Sequence, residues 1–269
     1  QPNRPCYDPF VTRGAQYIAF WSASTNLVPG LGATLQPQVF VHNRVTRETR
    51  CATVALGGGA SGGIAIQPRL SEDGQAVAFI SSATDLVAGD TNGQQDVFVR
   101  DFGAGSTELV SVATDGTQAD KPSSSPAVSG NGRYVAFVSK ASNLASGDNN
   151  GANDVFLRDR QAHSTTCVSV SGAGAVGDAA SSDPAISDDG RYVAFVSSAG
   201  NLVPGDGDGS PDVFVRDTVA GATELVSVGP GGEEIIEADQ PFISGDGRYV
   251  AFTGTLVTAG GNVGDLFVR

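Results

Sequence analysis

The chain has 269 residues, with 29 Asp and Glu against 16 Lys and Arg, and a formal net charge of −13. That balance argues against nucleic acid and against an anionic membrane surface as partners, because both call for a basic face. No apolar run approaches the length that spans a bilayer, so membrane insertion is not expected.

Three cysteines, Cys6, Cys51 and Cys167, lie far apart and form no Cys/His metal pattern. Cys51 and Cys167 share a repeat position with Leu109 and Leu225, which favours small buried hydrophobes. A Cys6–Cys51 disulfide is the alternative. The chain contains no Met and opens on Gln1. That fits a processed chain, secreted to the extracellular space or periplasm.

Three landmarks recur along the whole sequence. An Ala-Phe register gives Phe20, Phe79, Phe137, Phe195 and Phe252, spaced 59, 58, 58 and 57 residues apart. A second register gives Phe40, Phe98, Phe156, Phe214 and Phe267, spaced 58, 58, 58 and 53. Prolines 9, 68, 126, 184 and 241 repeat the first spacing. Self-similarity of this length signals a repeat architecture and outranks local propensity.

In chain order the repeats cover 6–56, 64–114, 122–172, 180–230 and 237–269, within a single domain, 1–269. The first opens on Tyr7-Asp8-Pro9-Phe10-Val11, and the later ones on the corresponding apolar stretch after each proline. In the fourth, Pro184–Ser187 reads as a short strand and Asp188-Asp189-Gly190 as a hairpin turn. Arg191–Ser197, Asp212–Arg216 and Thr223–Val228 read as the next three strands. Four strands per repeat is the unit of a β-propeller blade. The predicted fold is therefore all-β: a five-bladed β-propeller with four-stranded blades, the fifth lacking its outer strand. The fifth blade then stays three-stranded, borrows a strand from another chain, or belongs to a chain that continues. Residues 1–5 carry two prolines and suit a ladder poorly.

Ser187-Asp188-Asp189-Gly190-Arg191-Tyr192-Val193-Ala194-Phe195 recurs as Ser244-Gly245-Asp246-Gly247-Arg248-Tyr249-Val250-Ala251-Phe252. These stretches resemble the TolB-like, WD40-like (PD40) propeller repeats of bacterial secreted and periplasmic proteins. The resemblance covers almost the whole chain. It implies the propeller fold, and it implies use as a binding platform rather than any one activity.

Candidate chemistry lies in the loops between the second and third strands. Blade 2 offers Asp90, Asn92, Gln94 and Asp96; blade 3 offers Asp148, Asn150, Ala152 and Asp154; blade 4 offers Asp206, Asp208, Ser210 and Asp212. The fifth position of each set contributes a backbone carbonyl. Closely spaced hard oxygens on a glycine-rich loop suit Ca²⁺, which takes six to eight of them, better than Mg²⁺, which demands a near-ideal octahedron. Three Ca²⁺ sites are predicted, in blades 2 to 4. Blade 1 has Leu31, Ala33 and Gln38 in this region, and blade 5 has Gly260, Asn262 and Asp265. Neither keeps the acidic set. The alternative reading is a row of Asx-turns, in which Asp and Asn bond their own backbone.

Asp8, Gln67, Ser125, Asp183 and Gln240 precede the repeat prolines and form a weaker candidate, a polar ligand-binding ring at the channel mouth. The predicted inner strands, such as Ala185-Ile186, carry no acid, whereas glycoside cleavage needs two carboxylates. His42 and His163 lie in different blades, which leaves a Ser/His/Asp triad unsupported. Asn26, Asp85, Asn143 and Asn201 read as turn or cap residues. Arg100-Asp101, Arg158-Asp159 and Arg216-Asp217 read as local or interblade ion pairs, and Trp21 as packing. The favoured function is a non-enzymatic, secreted, calcium-binding scaffold or protein-interaction module, with self-assembly through the fifth blade as one version. A carbohydrate-binding, lectin-like propeller is the main alternative, and a glycoside hydrolase ranks third.

Overall fold

The computed structural model describes every residue except Ala33, Gly207, Asp208, Pro230, Glu234, Ala259 and Gly260. Its described residues form 19 strands in five antiparallel sheets. The first sheet runs β1 (Cys6–Val11), β2 (Tyr17–Ser22), β3 (Gln38–Asn43) and β4 (Thr49–Cys51). The second has β5 (Ala65–Leu70), β6 (Ala76–Ser81), β7 (Asp96–Asp101) and β8 (Ser106–Leu109). The third has β9 (Ser123–Val128), β10 (Tyr134–Ser139), β11 (Asp154–Asp159) and β12 (Ser164–Cys167). The fourth has β13 (Ser181–Ile186), β14 (Tyr192–Ser197), β15 (Asp212–Asp217) and β16 (Ala222–Leu225). The fifth has three strands, β17 (Ile235–Ile243), β18 (Val250–Thr258) and β19 (Gly261–Val268). All five sheets follow simple up-and-down order, as propeller blades do.

Two phenylalanines hold each blade together. The Ala-Phe and Val-Phe registers meet as directly paired residues of the two middle strands: Phe20 with Phe40, Phe79 with Phe98, Phe137 with Phe156, Phe195 with Phe214 and Phe252 with Phe267. Their rings stack with centroids 5.6–5.9 Å apart. Each stack sits on the face turned toward the preceding blade. Ala136, Val138, Val155 and Leu157 of the third blade pack on Phe195 and Phe214 of the fourth.

The first strand of each sheet extends further toward the N-terminus than its apolar residues imply. β13 starts at Ser181, so Asp183 lies inside it, and β1 likewise contains Asp8. The inner strands therefore do carry acids, and β17 adds Glu237 and Asp239. Periodicity misses this because the register breaks at the proline: between Tyr7 and Phe10, Ile66 and Arg69, Ser182 and Ala185, and Asp239 and Phe242. A bulge flips the face that the side chains present. Proline is tolerated there because the innermost strand is a sheet edge. The fourth strand of blade 4 stops at Leu225, short of the expected Val228. Val226 still donates to Val213 O, after which the backbone turns away.

The turns that join first and second strands converge near the axis. Glu72 N donates to Gly130 O, Asn131 N to Asp188 O, and Asp188 N to Gly245 O. Glu72 also accepts from Arg13 N and Gly14 N, and the Arg13 guanidinium pairs with Asp188. Phe10, Gln67, Arg69, Ser125, Asp183, Gln240 and their neighbours line a space of about 380 Å³.

The three cysteines are free thiols, with Cys6 exposed and Cys51 buried. Cys51 pairs with Phe40 and Cys167 with Phe156, as Leu109 does with Phe98 and Leu225 with Phe214. A Cys6–Cys51 bridge is excluded by topology. The two residues lie on β1 and β4, opposite edges of one sheet. Three strand spacings of roughly 4.8 Å separate them, well beyond disulfide reach.

Candidate functional site

The three acidic loops each close onto the start of a third strand, where an aspartate is buried. Asp96 and Asp154 are completely inaccessible, and Asp212 is 6% exposed. In each, Oδ1 accepts from a serine of the strand-four region: Ser111 at 2.6 Å, Ser169 at 2.7 Å and Ser227 at 2.5 Å. The second oxygens differ. Asp96 Oδ2 is buried with no hydrogen-bond partner, and so is Oδ1 of the loop residue Asp90, itself only 9% exposed. In blade 3, the Asn150 amide donates to Asp154 Oδ2 at 2.8 Å. In blade 4, the Ser210 hydroxyl donates to Asp212 Oδ2 at 3.3 Å. The predicted ligand Asp208 lies outside the described residues.

Burial without a counter-charge raises the proton affinity of these groups. It pushes up Asp96, Asp90 and Asp148, with the Asp96 charge adding to the effect on Asp90. It carries Asp154 to about 6, although Ser169 and Asn150 oppose the shift. Such carboxylates at neutral pH call for a proton or a cation.

Blade 1 shows the neutral solution to the same problem. Gln38 stands where Asp96, Asp154 and Asp212 stand, and it is 2% exposed. Its Oε1 accepts from Thr53 at 2.6 Å and Ser61 at 3.0 Å. Its Nε2 donates to Ser61 O at 3.2 Å and Gly63 O at 3.3 Å. The amide both accepts and donates here, whereas Asp96 in blade 2 leaves Oδ2 without a partner. Among the described residues blade 5 has no corresponding loop. Asn262 and Asp265 are part of β19, which pairs directly with β18, and Gly260 lies outside the described residues.

The asparagines of the pattern have a second task. Asn92 Oδ1 accepts from Gln94 N at 2.9 Å, and Asn150 Oδ1 from Ala152 N at 2.7 Å. These are the Asx-turns of the alternative reading. They use one lone pair of each amide oxygen and preshape the loop. Among the described residues no three His, Cys, Asp or Glu side chains cluster. In blades 2 and 3 the loop brings a second carboxylate beside the strand aspartate: the Asp96 charge raises Asp90, and the Asp148 charge raises Asp154. The loops lie against the blade-to-blade connections, as Asn92 Nδ2 to Ala119 O and Gln118 Nε2 to Gly89 O show.

The channel ring is built by strain. Asp8, Gln67, Ser125, Asp183 and Gln240 all have φ between 48° and 55°. The left-handed region is unusual for residues other than glycine and here it recurs at every bulge. Asp8 Oδ1 lies 3.8 Å from Arg69 Nη1, and Gln67 Oε1 accepts from Ser125 N at 3.3 Å.

The remaining polar repeats hold blades together. Asp159 and Asp217 pair with Arg133 and Arg191 of their own blades at 2.6 Å, and these partners hold both carboxyls down at about 2. Arg158 and Arg216 turn the other way, donating to Ala113 O and Ser171 O of the preceding blade. Neighbouring Arg and Asp of the sequence thus serve different partners, because alternate strand residues face opposite sides. Asn143 and Asn201 clasp the incoming connection by bonds to Gln118 O, Asp120 N, Val176 O and Asp178 N. Trp21 stacks on Tyr7 with centroids 4.4 Å apart, and His42 Nδ1 meets Thr49 Oγ1 at 3.0 Å. His163 occupies an exposed turn.

No protein-family model matches the chain, and no curated protein matches it. Solved structures do. A TolB protein from Agrobacterium tumefaciens aligns with a TM-score of 0.54 at 13% identity, over 98% of this chain and 81% of that one. The fold is that of a TolB-like β-propeller. An oligogalacturonate lyase in complex with manganese aligns with a TM-score of 0.58 at 10% identity, over 98% of this chain and 62% of the lyase. A prolyl endopeptidase gives 0.55 at 12% identity, over 99% of this chain and 36% of that one. At such identities the likeness concerns the fold alone. It spans a TolB protein, a lyase and a peptidase, so the propeller by itself does not establish whether the chain is an enzyme.

Proposed function

We propose that the chain is a secreted or periplasmic, non-enzymatic interaction propeller whose loop face is stapled by Ca²⁺ in blades 2 to 4. The observation that carries this reading is the pair of buried, partnerless carboxylate oxygens of Asp90 and Asp96, set beside the Gln38 amide that fills the same place in blade 1. Asp96 Oδ2 and Asp90 Oδ1 would bind the ion directly, with Asn92 Oδ1 and the Gln94 carbonyl completing the loop side. The ion is structural in this reading: it fixes a long loop whose apolar area is too small to fix itself.

Thermal unfolding in Ca²⁺ and in EGTA tests the proposal, because a ligand bound only by the folded chain must raise its midpoint. An unchanged midpoint at millimolar Ca²⁺ refutes it. A carbohydrate-binding reading is favoured by one feature. A groove of about 790 Å³ beside the blade 3 loop is lined by Thr114, Ser142, Asn143, Thr165 and Thr166, a hydroxyl- and amide-rich set. Silence on a glycan array removes that reading.

A further inference from the structure

Blade 3 carries smaller side chains than its neighbours along its outer groove. Ala145 stands where blades 2 and 4 have Val87 and Val203, and Cys167 where they have Leu109 and Leu225. Thr166 stands where they have Glu108 and Glu224. The groove of about 790 Å³ lies at these three positions, a volume suited to a small ligand. Its floor is apolar, with Leu144 and Val170 buried and Ala145 and Cys167 packed against the core.

The same changes take a counter-charge away from an arginine. At the junction of blades 2 and 3, Arg158 donates to Ala113 O and Thr165 Oγ1, and Glu108 of β8 supports its charge. Glu108 also pairs with Arg160 at 2.9 Å. At the next junction Arg216 makes the equivalent bonds, to Ser171 O at 3.1 Å and Thr223 Oγ1 at 3.0 Å. Here Thr166 and Thr218 replace Glu108 and Arg160. The groups that support the Arg216 charge are Cys167 and Asp217. Burial pushes the Cys167 thiol up to about 12, so it stays neutral, and Asp217 is already engaged by Arg191 at 2.6 Å.

Both bonds of Arg216 use Nη1, and among the described residues Nε and Nη2 make none. That edge of a guanidinium is one that takes a carboxylate through two parallel bonds. Arg216 lines the groove together with Thr166 and Ser146. Those two residues are exposed, and among the described residues their hydroxyls make no hydrogen bond. Asp115, also on the wall, is exposed and accepts from Thr117 N at 2.9 Å. The groove thus combines one cation without a paired carboxylate, free hydroxyls and an apolar floor.

We infer that this groove binds a uronate residue of an acidic saccharide. The sugar carboxylate pairs with Arg216, the ring hydroxyls meet Thr166 and Ser146, and the apolar face of the ring rests on the floor at Leu144 and Ala145. This inference rests on the carbohydrate-binding reading and names its ligand class. In a chain of net charge −13, a guanidinium without a paired carboxylate is a local exception, and it selects for negative charge. The neighbouring repeats show how such a site is closed: a glutamate at the place of Thr166 brings the counter-charge from within the chain.

The test titrates the full chain with methyl glucuronide and methyl galacturonide, and with the matching methyl glucoside and methyl galactoside. Amide and arginine Nε–H chemical shifts report binding. We expect saturable shifts at Thr166 and at the Arg216 Nε–H with at least one uronide, and roughly tenfold weaker binding of the matching neutral sugar. Thr166→Glu restores the residue of blades 2 and 4 and should abolish that preference. Thr166→Gln has the same size without the charge and should keep it. Thr166 is exposed, so circular dichroism of both variants should match that of the parent chain. Three results overturn the inference: neither uronide binds, uronide and neutral sugar bind alike, or T166E keeps the preference. Equal binding leaves the carbohydrate-binding reading standing, whereas silence toward all four sugars removes both. The Ca²⁺ melt is a separate readout, so failure of the metal staple is distinguishable from either.

Discussion

Replacing Asp96 by Gln transplants the blade 1 solution into blade 2. In blade 1, Gln38 Oε1 accepts from Thr53 and its Nε2 donates to the Ser61 and Gly63 carbonyls. The matching positions in blade 2 are Ser111, Ala119 and Lys121, and Ser111 already donates to Asp96 at 2.6 Å. Without a cation, the parent chain keeps a buried oxygen unpaired at Asp96 Oδ2, a defect that costs about 1–3 kcal/mol. Relieving it should raise the midpoint in EGTA by roughly 2–12 °C, taking 2–4 °C per kcal/mol for a domain of this size class. With Ca²⁺ the order should reverse. Each occupied site adds about 2.7 kcal/mol when the free ion is 100-fold above its dissociation constant. D96Q gives up one of three such contributions. Differential scanning calorimetry of both proteins in EGTA and in Ca²⁺ gives all four midpoints. A lower midpoint for D96Q in both buffers, with the parent chain indifferent to Ca²⁺, would show that Asp96 needs no cation, and the metal reading would fall with it.

Stability in EGTA should also depend on pH through Asp154. Its folded value of about 6 lies above the ordinary aspartate value of 3.8, so the folded chain binds the proton more tightly. Stability should then fall as pH rises from about 4 to about 6, by about 3 kcal/mol in all at 1.36 kcal/mol per unit. Ca²⁺ should abolish that fall, and a flat pH profile of urea midpoints in EGTA contradicts the burial argument. His163 has φ 54° where Gly105 and Gly221 occupy the equivalent turns at 68° and 69°. His163→Gly should therefore stabilise the chain by about 1 kcal/mol, measured by urea unfolding, and a loss would mean that the imidazole makes a contact worth more than the strain. Gly190→Ala should destabilise by about 2 kcal/mol or more through the Tyr134 ring, and Tyr134→Ala should recover part of that loss in the double mutant. Thiol labelling of the native chain should modify Cys6 alone. Cys51 is buried, and burial pushes the Cys167 thiol up to about 12. Fast labelling of all three would refute the packing of β4 and β12.

Repeat length, blade count and strand order are legible in the sequence because each blade is a local unit of consecutive antiparallel strands. The spacing of Phe20, Phe79, Phe137, Phe195 and Phe252 is written along the chain, and so are the acidic loops and the near-match of Cys51 and Cys167 to leucine. What the sequence hides are distances between blades. Asp101-Asp159-Asp217 and Arg100-Arg158-Arg216 look like neighbours to be paired, yet alternation along a strand sends them to different partners. The bulge at each proline moves Asp8 and Asp183 into the inner strands because it breaks the two-residue period on which a sequence reading depends. The unpaired oxygens of Asp90 and Asp96 appear only once the loop is folded onto the strand, although Gln38 at the matching position is the signal that finds them.

Composition, a 58-residue period and the glycine turns by themselves determined an all-β propeller with three acidic loops, since these follow from hydrophobic pattern and turn chemistry within one repeat. Only the tertiary structure decided which carboxylates are left without a partner, and that Tyr249, Leu266 and Val268 of the fifth blade stay exposed. Burial and blade-to-blade contact, down to the Gly190 turn against the Tyr134 ring, are properties of the assembled ring.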